Sequence, residues 1–249
     1  MVSGKHQIEH YKEVIGEKRK SKFLFSCGYE ERFDPFMFYK KPDVAKAFEK
    51  IFRHILKGKK YDHILDVGCG TGFYFPVLKK FSKKIVGFDF SPEMIDEAKL
   101  LIKEKKLLNI KAEVGDVEKL KYKDKSFDCV ICFDVLHHIP NLKKGLKEIN
   151  RVMKDDGIFI AIEPNMLNPV MFIAHSIPKE ERGAVKRNYP LKLKRLLSTN
   201  FSRIKVNYIN YIASSKNKIV LKIVDMINKN IDRRPYKYFS FRQIVYAKK

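Results

Sequence analysis

The sequence is short of several things, and each shortage excludes a class of protein. It holds four cysteines, Cys27, Cys69, Cys129 and Cys132, too few and too scattered for a disulfide framework. Cys129 and Cys132 form a nominal C-x-x-C inside "FDCVICFD". That segment reads as a strand, where a spacing of three sends the two side chains to opposite faces. They are expected as small buried hydrophobes rather than a metal or redox pair. No stretch approaches the roughly 18 uninterrupted apolar residues of a membrane-spanning helix. The opening "MVSGKHQIEHYKEV" carries charges of both signs and no apolar core of a signal peptide. The expectation is a cytoplasmic protein. Internal repeats and low-complexity tracts are lacking. So is a metal constellation: His6 and His10 stand at i, i+4 near the N-terminus, and His54, His63, His137, His138 and His175 show no ligand spacing. No metal is expected.

What is present suits one large core. The chain has 249 residues, 45% hydrophobic and 33% charged, which fits a single domain with additions. The net charge of +23 is unevenly spread. Residues 1–60 hold 15 Lys/Arg against 8 Asp/Glu, or +7; residues 61–163 hold 18 against 17, or +1; residues 164–249 hold 19 against 4, or +15. Such a bias suits a polyanion, an anionic membrane surface or a phosphorylated substrate. It also suits a lysine-rich genome, as the low glutamine content does.

Strands and helices alternate through the middle. "DVAKAFEKIFRHILK", about 43–57, has apolar residues at helical spacing and Gly58 as a stop. "YDHILDV", "KKIVGFD", "IKAEV", "FDCVICF" and "GIFIAIEP" read as five strands. Between them, "PEMIDEAKLLIKEKK" and "NLKKGLKEINRVMK" read as helices, the first capped by Ser91 and Pro92. Continuous apolar strands alternating with helices argue for a parallel sheet covered on both faces. Beyond Glu163, "FSRIKVNYINYI" and "FRQIVYAKK" supply two more strands, with an apolar helix over 215–230 between them.

The first strand runs into Gly68-Cys69-Gly70-Thr71-Gly72, a turn that brings backbone close to a ligand at a strand's carboxyl end. It is no Walker loop, because no Gly-Lys-Ser/Thr follows, and the third glycine of a dinucleotide fingerprint is replaced by Phe73. Asp89 ends the second strand and can accept from two vicinal ribose hydroxyls. Asp116 follows the third strand and can accept from an exocyclic amine such as adenine's. Both acids would repel a pyrophosphate. A ligand with ribose and adenine, no phosphate, and an amino-acid tail is S-adenosylmethionine.

These residues carry a resemblance. "ILDVGCGTG", "VGFDFSPEMIDEA", "EVGDVEKL", "FDCVICFDVLHHIPN" and "LKEINRVMKDDGIFIAIEPN" resemble, in order and spacing over about 64–165, the class I S-adenosylmethionine-dependent methyltransferases, of the broad small-molecule and lipid type. The resemblance implies an α/β, doubly wound, mostly parallel seven-stranded sheet of order 3-2-1-4-5-7-6 with strand 7 antiparallel. It implies one domain over 1–249: a helical N-terminal lid over 1–58, a cofactor-binding half over 59–163, and acceptor-side inserts with the last two strands over 164–249. Gly68, Gly70 and Gly72 would line the methionine moiety, and Asp66 would orient its amino group, directly or through water. Asp89 would hold the ribose, with Phe90 and Met94 beside the adenosine. Asp116 would accept from the adenine amine, Val117 would pack on the ring, and Phe133 would lie near the sulfonium. The product would be S-adenosylhomocysteine.

Methyl transfer from a sulfonium asks the protein mainly to position an acceptor and exclude water. A hydroxyl acceptor benefits from a general base, whereas a carboxylate acceptor needs none. Candidate catalytic residues stand at the ends of strands four and five: Asp134, His137, His138 and Glu163. Asp134 could instead cap the next helix. His137 and His138, being adjacent, are not expected to face the site together. In the family, one histidine of "LHHIP" often helps build the cofactor pocket. Tyr29, Phe33, Phe36 and Tyr39 form either a lid or a loop anchored by aromatic packing. "EPNMLNPVMFIAHSIP", Glu163 to Pro178, reads as the exit of strand five followed by an acceptor-side insert too short to span a bilayer. Apolar and basic inserts together favour a small-molecule or lipid-like acceptor, with an anionic head and peripheral membrane contact as options. An RNA methyltransferase using the basic C-terminal third is the alternative, supported by charge and by the likeness of "VLHHIP" to certain tRNA wobble-uridine methyltransferases. A non-catalytic S-adenosylmethionine-binding scaffold is the third reading.

Overall fold

The computed structural model describes residues 34–177, 182–209 and 236–249. His6, His10, Cys27, Tyr29, Phe33 and the helix expected over 215–230 lie outside the described residues. The chain groups into two compact units that meet in sequence at Asp116 and Val117.

The unit ending at Asp116 begins, among described residues, with the short helix α1 (Met37–Lys40) and α2 (Pro42–Ile55). Pro42 starts α2 where its missing N–H costs nothing. Phe48, Phe52 and Ile55 then recur at helical spacing and are buried. Three strands follow: β1 (Tyr61–Val67), β2 (Ser82–Asp89) and β3 (Ile110–Val114). β2 pairs in parallel with both of the others. Between β1 and β2 runs α3 (Phe75–Leu78), and between β2 and β3 runs α4 (Pro92–Glu104). Ser91 caps α4, its hydroxyl accepting from Met94 N–H at 3.3 Å while donating to Glu93 at 2.8 Å. Met94, Ile95, Ala98 and Leu101 form the buried stripe of that helix.

The unit from Val117 opens on a 3-10 turn, Val117–Lys119, and continues through β4 (Phe127–Phe133), α5 (Leu142–Val152) and β5 (Met153–Pro164). α6 (Pro169–Ser176), α7 (Arg182–Arg187) and α8 (Pro190–Leu197) come next, then β6 (Ser202–Ile209), a second 3-10 turn over Tyr236–Phe239, and β7 (Arg242–Lys248). β4 and β5 are parallel, and β7 runs antiparallel to both β5 and β6. β5 starts four residues earlier than the apolar run beginning at Gly157 suggests, because Met153 already pairs with Phe127. The polar Asp155-Asp156 pair is absorbed where the register shifts between Phe127 and Cys129. Cys129 and Cys132 are both buried in β4, as expected for two small apolar side chains of a strand covered on both faces.

The sheet has seven strands in the order β3-β2-β1-β4-β5-β7-β6, the expected α/β topology. No described helix is long and apolar enough to cross a membrane.

Candidate active site

The first centre is built on the turn after β1. Gly68, Gly70 and Gly72 have φ of 68°, 53° and 74°, the left-handed region that L-residues avoid. The glycines are not equivalent. A Cβ on Gly72 would come within 2.6 Å of the Phe75 ring, whereas one on Gly70 would meet nothing within 4 Å. Gly72 is thus required for packing, and Gly70 leaves backbone bare in open space. Phe73, standing where a dinucleotide fold would have its third glycine, packs 4.7 Å from Phe38 and 5.0 Å from Tyr74, ring to ring.

Asp89 ties this turn to the next one. Its carboxylate accepts from Gly70 N–H at 3.0 Å and from Ser91 N–H at 3.0 Å. Burial pushes its carboxyl up, and the backbone donors of Ser91, Gly70 and Phe90 pull it back. Asp66, near the end of β1, is buried, and burial together with the Asp89 charge pushes its carboxyl up to about 8. Burial likewise raises the Cys69 thiol well above its usual value. The Thr71 hydroxyl oxygen is buried and has no hydrogen-bond partner among the described residues. Met94 is buried on α4, Phe90 is half-buried, and Asp116 is exposed on the turn after β3. In the other unit, Val117 is half-buried and Phe133, the last residue of β4, is buried.

Of the expected lid aromatics, Phe36 and Tyr39 are described. Both rings lie near the Lys105 ammonium, at 5.4 and 4.9 Å from their centroids. That is the geometry of a segment anchored by aromatic contacts.

The second centre lies in the unit from Val117 and is organised by Glu163. This carboxylate is fully buried at the end of β5. One oxygen accepts from Val135 and Leu136 N–H at 3.0 and 2.8 Å. The other meets His137 Nδ1 at 2.6 Å and accepts from Asn188 Nδ2 at 2.7 Å. Four contacts use the acceptor directions of both oxygens. Glu163, a candidate catalytic residue from its place at the strand end, is a buried organiser of this turn. The bond to Glu163 makes His137 Nδ1 a donor. The 3.4 Å approach of Asn188 Nδ2 to the same Nδ1 is then a contact between two donors, not a hydrogen bond.

The same turn is held from α7. Arg187 donates to the carbonyls of Ile139 at 2.6 Å and Pro140 at 3.3 Å. Burial lowers the basicity of Arg187, and the Glu163 charge opposes that shift. At Gly183 a Cβ would sit 2.3 Å from the His137 carbonyl oxygen, so α7 seats closely only because that residue is glycine. Gln243 of β7 extends the network, its amide donating to the carbonyls of Pro164 and Asn188.

The His137 and His138 rings lie 4.0 Å apart, centroid to centroid. The backbone there curls into a turn, with His138 N–H donating to Val135 O at 2.9 Å. His137 is buried and His138 is half-buried. Asp134 does not cap the following helix. It has φ of 55° and its carboxylate pairs with Arg242, while Asn141 caps α5 by accepting from Lys144 N–H at 3.2 Å. No group of three or more potential metal ligands occurs among the described residues.

Asn188, Arg187, Gly183, Gln243 and Arg242 escape sequence reading. They approach the turn after β4, or β5, from 25 to 108 residues away, and no local spacing marks them.

Comparison with known proteins agrees with the fold. A family profile described as a methyltransferase domain matches residues 58–218. An uncharacterized protein of Methanocaldococcus jannaschii is 29% identical over 81% of this chain and 82% of its own length. A demethylmenaquinone methyltransferase of Chlorobaculum parvum is 37% identical over 48% of each chain, so this chain spans about half of that relative. The solved structure of a SAM-dependent methyltransferase from Aquifex aeolicus shares the fold, with a TM-score of 0.59, 19% identity and coverage of 95% of this chain and 96% of that one. With the profile covering more than half of the sequence, the seven-stranded sheet in the expected order, and the glycine turn followed by Asp89, the chain belongs to the class I S-adenosylmethionine-dependent methyltransferases.

Proposed function

We propose that the protein methylates a hydroxyl on a small acceptor with an apolar body, and that His138 takes the acceptor's proton. The observation that carries this reading is the lock on the turn after β4. Glu163, Asn188 and Arg187 hold that turn from β5 and α7, and the half-buried His138 ring rests on the fixed His137 ring. A base that must meet an acceptor at a set angle needs such support. His137 and Glu163 act through His138 as positioning residues.

The glycine turn fits the cofactor on three counts. Gly70 leaves open space above bare backbone. The Thr71 hydroxyl is buried and unpartnered. Asp66, a buried acid pushed up to about 8, would be compensated by a cationic amino group. Gly68, Gly70 and Gly72 would hold the methionine moiety, Asp66 its amino group, Asp89 the ribose, Phe90 and Met94 the adenosine, and Asp116 the adenine amine. Val117 and Phe133 keep the parts the family resemblance gives them. When bound, S-adenosylmethionine supplies a methyl group on a sulfonium, a leaving group that needs no proton. What remains for the chain is to orient the acceptor, exclude water and accept one proton at the His138 imidazole.

The test is labelled methyl transfer from S-adenosylmethionine to a cell extract split into lipid, water-soluble small-molecule and RNA fractions. Label in a lipid or small-molecule product is expected, and His138→Ala should lower kcat by about 10²–10⁴. S-adenosylmethionine should still raise the Tm of that variant as in the wild type. Label confined to RNA would sink the reading.

The RNA alternative draws on the +15 charge of residues 164–249 and on the likeness of "VLHHIP" to certain tRNA wobble-uridine methyltransferases. It calls for tRNA binding that weakens steeply with salt. Loss of tRNA retention even at low salt removes it.

A further inference from the structure

α6 is unlike every other described helix of eight residues or more. Its sequence is PVMFIAHS, and none of its residues is buried. Val170, Ile173 and Ile177, at spacings of three and four, draw an apolar stripe along one face. They are 38%, 59% and 56% exposed, and Phe172, on another face of the same helix, is 38% exposed. An amphipathic helix of a globular protein normally turns such a stripe inward.

The helix is not loosely placed. Asn168 caps it, its side-chain oxygen accepting from Val170 and Met171 N–H at 2.9 and 3.2 Å. The same side chain donates to Phe239 O at 2.9 Å, and Asn165 donates to Ser240 O at 2.9 Å. These bonds bring the 3-10 turn before β7 alongside the start of α6, where Phe239 is 53% exposed. At the other end, Arg182 Nε donates to Ser176 O at 3.3 Å. Exposed Lys186 follows on α7, and exposed Lys192, Lys194 and Arg195 follow on α8 beside Leu191, which is 85% exposed. Among the described residues from Pro164 to Ile209 beyond β5, every charged side chain is Lys or Arg.

An apolar stripe close to the exposed Phe239, bordered by cations and, among the described residues, without acids, is complementary to an anionic lipid surface; with Glu180 and Glu181 of the sequence counted, residues 164–209 still hold nine Lys/Arg against two Asp/Glu. The aliphatic and aromatic side chains enter the boundary between headgroups and acyl chains, and the lysines and arginines meet phosphates. We infer that the protein docks peripherally on anionic membranes through α6 and Phe239, with the basic residues of α7 and α8 contacting headgroups. The inference stands apart from the nature of the acceptor, because it concerns where the enzyme sits rather than what it methylates.

The test uses the full chain and sedimentation with vesicles, either pure phosphatidylcholine or phosphatidylcholine with about 30% phosphatidylglycerol. Binding is expected to the mixed vesicles and not to the neutral ones, and should weaken at high salt. The double variant Ile173→Glu/Ile177→Glu should lower the bound fraction by ~10-fold or more. Ile173→Leu/Ile177→Leu should bind as the wild type does. Both substitutions are on exposed positions, and an unchanged S-adenosylmethionine-induced rise in Tm reports that the fold and cofactor site are intact. Lys83→Glu, on β2, should bind normally. Three results would overturn the proposal: no binding to either vesicle; equal binding by the Ile173→Glu/Ile177→Glu variant, which assigns the interaction to charge alone; or a wild-type dimer that the variant converts to monomer, which assigns the stripe to a second copy.

Discussion

The two centres are built by opposite means. The glycine turn and the acids Asp66 and Asp89 lie within 24 residues and are joined by strand register and by the Gly70 N–H, which donates to the Asp89 carboxylate. The Glu163 centre gathers side chains from β5, the turn after β4, α7 and β7, and no two adjacent segments suffice to form it. The first centre is made of backbone shape, so it depends on which positions lack a Cβ. The second is made of buried polar side chains gathered around one saturated carboxylate, with the amide oxygens of Asn188 and Gln243 left buried and without a partner among the described residues, so it depends on every member of the central cluster being present. The first leaves groups waiting, namely the Thr71 hydroxyl and the raised Asp66 carboxyl. In the second, the central carboxylate has no acceptor direction left.

That contrast predicts a graded set of responses. Glu163→Leu strips the acceptor from two backbone N–H groups, an imidazole and an amide at once. It should cost about 3–5 kcal/mol in denaturant unfolding. A loss under 1 kcal/mol in that experiment would mean the network is not cooperative. Within the glycine turn, Gly72→Ala should cost about 2–4 kcal/mol, combining a left-handed φ with a clash on Phe75. Gly70→Ala has the φ penalty alone and should cost about 1–2 kcal/mol. Unfolding curves that rank Gly70→Ala as the worse of the two would contradict the geometry.

Asp66→Asn should weaken S-adenosylmethionine binding by roughly 1.5–3 kcal/mol, read by calorimetry. It should also change the pH dependence of the ligand-free protein. The folded-state pKa of about 8 lies above the ordinary carboxylate value. The folded state therefore holds the proton more tightly than the unfolded one. Asp66 thus removes stability as pH rises from about 4 to about 8. The stability gap between Asp66→Asn and the wild type should widen over that window, measured as the difference between the two at each pH. At the small end, Lys83→Ala breaks an exposed pair with Asp62, 2.8 Å apart, and should move stability by less than about 0.5 kcal/mol.

Much of the fold is legible in the sequence because its signals are local. Ser91-Pro92 marks a helix start whose cap bond is then found, and Pro169 starts α6 as its position suggests. The continuous apolar run of β4 places Cys129 and Cys132 in the interior. The failures have one cause. Asp134 reads as a helix cap until Arg242, 108 residues away, claims its carboxylate. Glu163 reads as a strand-end carboxylate whose saturation shows only once Asn188 and the turn after β4 close over it.

The sequence by itself determined the seven strands, the glycine turn with its bare backbone, the acids that follow it and the concentration of positive charge after Glu163. These follow from periodicity, from the missing Cβ and from composition, which are properties of neighbouring residues. Tertiary structure alone decided that Glu163 is saturated, that the His137 ring is held through Nδ1 with the His138 ring tilted against it, and that the apolar stripe of α6 faces outward. Those depend on which groups from distant segments share a low-dielectric interior, where each buried donor and acceptor must find its partner.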